Sequence, residues 1–149
     1  MLCLFSACGR QKALKLNETF ISMERELTPR IEAANRDLEA FFSAEKYDSI
    51  VMLSTRMEVM LDQAMKRIST ESSSGMTDAV AFKTACLHYF GYIKSIFSGY
   101  HLLGLETDAT RRQQRKFELI ETINRAEQAL SDLQKAQTDF ASANGFDIQ

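Results

Sequence analysis

A chain of 149 residues with one proline, Pro29, and six glycines has few places at which to turn. Strand-rich folds need turn residues at short, regular intervals. Their scarcity leaves long helices with few connections as the natural reading, and the apolar residues agree. Leu16, Phe20, Met23, Leu27, Ile31, Ala34, Leu38 and Phe41 follow one another at steps of three and four, which puts them on one helical face. The stripe stays in phase across Pro29, so we expect one helix kinked at the proline rather than two. The alternative is a break, with Thr28 as N-cap and Pro29 in the first turn. Asn17 is a candidate cap for the start of this helix.

Three further stripes follow. Tyr47, Ile50, Met57, Leu61, Ala64 and Ile68 form the second, closed by the linker STESSSGM at 69–76. Ala79, Phe82, Cys86, Tyr89, Ile93, Phe97 and Tyr100 form the third, with Thr77 or Asp78 as its cap. Thr107 or Asp108 begins the fourth, which runs through Phe117, Ile120, Ile123, Ala126, Leu130, Leu133 and Phe140. Asn144-Gly145 reads as a left-handed helix stop, with Phe146 folding back on the last turn. Helices of about 25 residues joined by short connections pack as antiparallel neighbours. The expected fold is all-α: an antiparallel up-down-up-down four-helix bundle over residues 16–149.

Composition limits the partners. The 18 basic and 20 acidic residues nearly cancel, whereas a nucleic-acid binder normally carries a strong basic excess. No nucleic-acid partner is expected. No apolar run approaches the ~18–20 residues of a membrane span.

Bundles of this kind often house di-iron centres, which need inward carboxylates and two Glu-x-x-His pairs. Neither His88 nor His101 stands three residues after a glutamate, and no zinc, phosphate-loop or nucleophile-elbow pattern occurs. We expect no enzyme, no cofactor and no metal. His88 and Tyr92, four apart, suit a shared surface hydrogen bond. His101 suits the negative end of its helix dipole.

Two stretches stand out within the helices. Gly91, Ser95 and Gly99 recur every four residues on the third, flanked by Tyr92 and Phe97. Such a stripe permits either close helix packing or a ligand groove. RRQQRK places Arg111, Arg112, Arg115 and Lys116 at a helix start, where cations oppose the macrodipole. They either face an anionic partner or form a solvated face paired with Glu118 or Glu121.

The N-terminus carries the most specific signal. Leu4-Phe5-Ser6-Ala7-Cys8-Gly9 resembles the lipobox of bacterial lipoproteins, in which two small residues precede the acylated cysteine. Phe5 departs from the usual aliphatic residue. The preceding MLCLF has no basic residue and falls short of the ~7–15 apolar residues of a signal. We therefore expect residues 1–8 to be the remnant of a longer lipoprotein signal, with 9–15 as a tether. Cys3 would leave with the signal, and Cys86 would remain alone as a small core hydrophobe.

Together with AQTDFASANGF near the C-terminus (Ala136, Gln137, Phe140, Ala141, Asn144 and Gly145 match best), this organisation resembles an uncharacterised family of bacterial surface lipoproteins. The resemblance implies a helical bundle in the cell envelope, held to the lipid bilayer through acylated Cys8. It supplies no catalytic residues. With the lipid at Cys8, the linker 69–76 would face the membrane and RRQQRK the distal end, towards a protein or envelope-polymer partner. Two alternatives are a soluble cytoplasmic adaptor or secretion-type chaperone, and a ligand-binding bundle with its groove on the third helix.

Overall fold

A computed structural model of the chain describes the backbone of residues 4–148 and the side chains of residues 9–148. It contains four helices: α1 (Leu4–Ser43), α2 (Tyr47–Thr70), α3 (Ala79–Leu105) and α4 (Ala109–Ala143). Sequential helices pack on one another as an all-α four-helix bundle. The most apolar helix, α3, packs extensively on both α2 and α4. The contact of α1 with α4, which closes the ring, is the slightest of these.

Helix α1 is single, as the unbroken stripe requires. Pro29 lies inside it and is exposed, so the Arg25 carbonyl that loses its helical donor lies towards water. Leu27, Ala34 and Leu38 are buried on either side of the proline. At 40 residues the helix is about 60 Å long, well beyond the expected length. The extra turns include residues 9–15. That segment is not a free tether: it is helical, and Ala13 within it is fully buried beside Leu16. Small and set between Lys12 and Leu14, Ala13 gives little sign of its burial in the sequence.

Asn17 caps nothing. It sits mid-helix, buried, and its Oδ1 accepts from Gln137 Nε2 of α4 at 2.8 Å. Burying an amide without a partner costs roughly 1–3 kcal/mol, so the pair fixes the register of α1 against α4 at this end. Ser54 fills the gap in the second stripe between Ile50 and Met57; it is buried, and its hydroxyl has no partner among the described residues.

The connections close with local chemistry. After α1, Glu45 takes a left-handed conformation (φ 53°), Lys46 N donates to the Phe41 carbonyl and Glu45 N to that of Phe42. This is a Schellman closure. Helix α4 ends the same way at Gly145 (φ 70°), and Phe146 folds back to meet Phe140 edge-on at 5.8 Å, as expected. Asp108 caps α4, its Oδ1 accepting from Arg111 N at 2.8 Å. Asp78 holds the N-cap position of α3 without a capping hydrogen bond. Asn144 instead clamps that loop, accepting from Thr77 N and donating to its carbonyl.

The core centres on aromatic rings from three helices. Phe82 stacks on Phe140 at 5.0 Å and meets Phe20 edge-on at 5.5 Å. Two members of the expected fourth stripe are excluded from it: Phe117 and Ile120 are 57% and 54% exposed. Leu119 is buried in their place because α3 approaches α4 from that side, where Gly99 leaves room for it.

Candidate functional site

The bundle has two unlike ends. At one, Gly9 approaches the Gly75 carbonyl, and residues 142–145, at and just past the end of α4, complete the surface. The first turns of α4 lie at the other end, against the α1–α2 turn and the connection 106–108. All four residues of the RRQQRK cluster belong to this second end.

The cluster is divided by its contacts. Arg115 Nε donates to Glu106 Oε2 at 3.2 Å. The Asp108 amide and Arg115 together hold the Glu106 carboxyl below the usual range. Arg112 Nε donates to the Glu106 carbonyl at 3.1 Å, and its guanidinium lies over the Tyr47 ring, 4.3 Å from the centroid. These two arginines tie the end of the bundle together. Arg111 and Lys116 make no ion pair among the described residues. Glu118 accepts from Gln114 and from none of the four cations.

Beside the cluster, the seam between α1 and α4 opens into a groove of about 530 Å³. Its floor is apolar: Phe42, Tyr100, Leu103, Leu119, Ile120 and Ile123. Arg112, Lys116, Tyr47 and Glu45 border it. Phe42 and Tyr100 have ring centroids 5.7 Å apart, and burial, followed by the charge of Glu39, pushes the Tyr100 phenol up. The sequence holds a weak trace of this groove. Arg112, Lys116, Ile120 and Ile123 recur at steps of four and three, cations first, and Phe41-Phe42 widens the first stripe.

Of the five residues of the expected α3 groove, Ser95 and Gly99 share one small opening against α4, with Leu119 and Arg115, and the other three do not join them. Phe97 is buried in the core. Gly99 faces α4, where an added Cβ would lie 3.0 Å from Leu119 Cδ1, and Gly91 faces Met65 of α2. The Ser95 hydroxyl donates to its own helix at the Gly91 carbonyl. Tyr92 lines a separate open groove between α3 and α4, with His88, Arg125 and Asp132. At Gly91 an added Cβ would meet nothing nearer than Met65 Cε at 3.9 Å. Gly91→Ala is therefore expected to stabilise the protein by about 0.5–1 kcal/mol through helix propensity, read as a higher urea midpoint.

His101 Nδ1 lies 3.3 Å from Thr55 Oγ1 and 3.8 Å from Glu58 Oε1, so it joins α3 to α2. Cys86 is fully buried, and burial pushes its thiol up, out of the range of a reactive thiolate. Among the described residues no three His, Cys, Asp or Glu side chains come together so as to hold a metal. No helix there is long and apolar enough to cross a membrane.

Cys8 lies on the helical backbone of α1, one residue before Gly9. Its thiol, and all of Cys3, lie outside the described residues. Comparison of the chain with protein-family models, curated proteins and solved structures finds no match.

Proposed function

We propose that this chain is a non-enzymatic, lipid-anchored protein of the bacterial cell envelope, acylated on Cys8, whose bundle presents its far end to an envelope partner. The observation that carries this reading is the polarity of the bundle. Gly9, adjoining the lipobox cysteine, packs on the linker end, while the RRQQRK cluster and the apolar groove lie at the opposite end. A lipid on Cys8 would stand that end away from the bilayer. The helix leads directly from the anchor into the core at Ala13 and Leu16, so the bundle would sit close to the membrane. Lipoprotein acylation supplies several chains; a single acyl chain binds membranes only marginally.

A second reading, a soluble cytoplasmic adaptor, draws on the continuity of α1. Its helical backbone passes from Leu4 through Cys8 without a break. Intact mass of the protein expressed from its native locus separates the two. The anchored reading expects a detergent-partitioning species that carries a diacylglyceryl mass and loses it in Cys8→Ala. An unmodified, aqueous species in both would overturn it and leave the adaptor.

A further inference from the structure

We propose that the open seam between α1 and α4 at the distal end binds a single-chain aliphatic carboxylate. The inference rests on the reading of that end as the recognising end and gives its ligand a chemistry; it does not depend on the anchor.

The bundle's own helices bury Leu103 and Leu119 at the base of the groove but leave Ile120 exposed and Phe42, Tyr100 and Ile123 only half-buried. Ile120 is more than half exposed, and it lies with Ile123, Leu119, Phe42 and Tyr100 in one groove. From Arg112 to Ile123, eleven steps along α4, the groove runs about 16 Å, comparable with an extended chain of roughly a dozen carbons. A volume of about 530 Å³ falls in the range of small-molecule sites.

The border of the groove supplies the sign of the head group. Arg112 and Lys116 stand one turn apart on α4, where like charges repel and both oppose the helix dipole. Among the described residues no carboxylate pairs with Arg112: the Tyr47 ring and the Glu106 carbonyl hold it in place at the border. Lys116 is exposed and makes no ion pair among the described residues. An anionic head between the two would relieve that repulsion, and a chain trailing from it would cover Ile120 and Ile123. Glu45 borders the groove from the α1–α2 turn, so the head is drawn to the α4 side. A neutral chain would leave both cations unmatched.

The test is calorimetric titration of the full chain carrying Cys8→Ala with dodecanoate below its micelle concentration. Dodecyltrimethylammonium serves as the chain with a reversed head, and acetate as the head without a chain. We expect saturable one-to-one binding of dodecanoate, none of acetate, and about tenfold or greater weakening in Lys116→Glu. Ile120→Asp should abolish binding. Both substituted residues are exposed, so circular dichroism should remain unchanged. Four results would each overturn the proposal: no saturable binding, equal affinity for both head groups, undiminished affinity in the two variants, or a dimer in sedimentation that occupies the groove. An unmodified Cys8 in the native protein would count against the anchor alone, and a failed titration against this ligand alone.

Discussion

Truncating Phe82 to alanine is expected to lower the stability of the bundle by about 3–5 kcal/mol, read as a fall in the urea midpoint at nearly constant m-value. Phe82 is fully buried, and its ring is the common contact of three helices: stacked on Phe140 of α4 and edge-on to Phe20 of α1. The loss has two parts, the transfer of the ring from the core and the cavity that the surrounding rings cannot refill. For a domain of this size each kcal/mol moves the melting temperature by roughly 2–4 °C, so a fall of about 10 °C is expected. A shift below 2 °C would mean that the aromatic centre is not where the bundle is held. Phe82→Ala combined with Phe140→Ala should cost less than the sum of the two, because the stacked pair can be lost only once.

The second large effect concerns a glycine. Gly104, in the last turn of α3, faces α2 so closely that an added Cβ would lie 2.8 Å from Val51 Cγ2 and 3.1 Å from the Tyr47 carbonyl oxygen. Neither neighbour yields easily: one belongs to a β-branched side chain in a helix, the other to backbone. Gly104→Val is therefore expected to destabilise by about 1–3 kcal/mol despite the better helix propensity of valine. The sign is opposite to that expected for Gly91→Ala, although both glycines are helical and thirteen residues apart on the same element. The displaced segment of α2 includes Tyr47, whose ring supports Arg112, so the substitution should also loosen the distal end. A chemical denaturation series of the two variants beside the parent checks both signs at once. Equal effects at the two positions would show that α3 does not approach α2 as described.

The element types were legible because their signals are local. Spacings of three and four define a helix whatever it packs against, Asp108 accepts from an amide three residues away, and Gly145 adopts the left-handed stop that its missing Cβ permits. The stripe through Pro29 stayed in phase, and the helix is continuous there. Where expectation and structure part, the deciding partner is distant in sequence. Asn17 has the composition of a cap, yet it is buried against Gln137, 120 residues away. Ala13 is core because α1 continues to the level of the 71–78 linker, a fact absent from its own neighbours.

The candidate site divides in the same way. Its cations and the steps between them stand in the sequence at Arg111, Arg112, Arg115 and Lys116. Which of them are structural ties depended on Glu106 and Tyr47 arriving from other elements. Gly91, Ser95 and Gly99 looked alike as a stripe, but a helix turns 40° over four residues beyond one full revolution, and the glycines consequently face different neighbours. The fourth stripe is the clearest case. Leu119 and Phe117 lie on adjoining apolar faces, and periodicity ranks neither above the other. The sequence by itself determined four helices, the cap at Asp108, the stop at Asn144-Gly145 and the antiparallel order, because hydrogen bonding and periodicity act within a few residues. Tertiary structure alone decided which apolar face of α4 meets α3 and which is left beside α1, because burial depends on where a neighbouring helix stands.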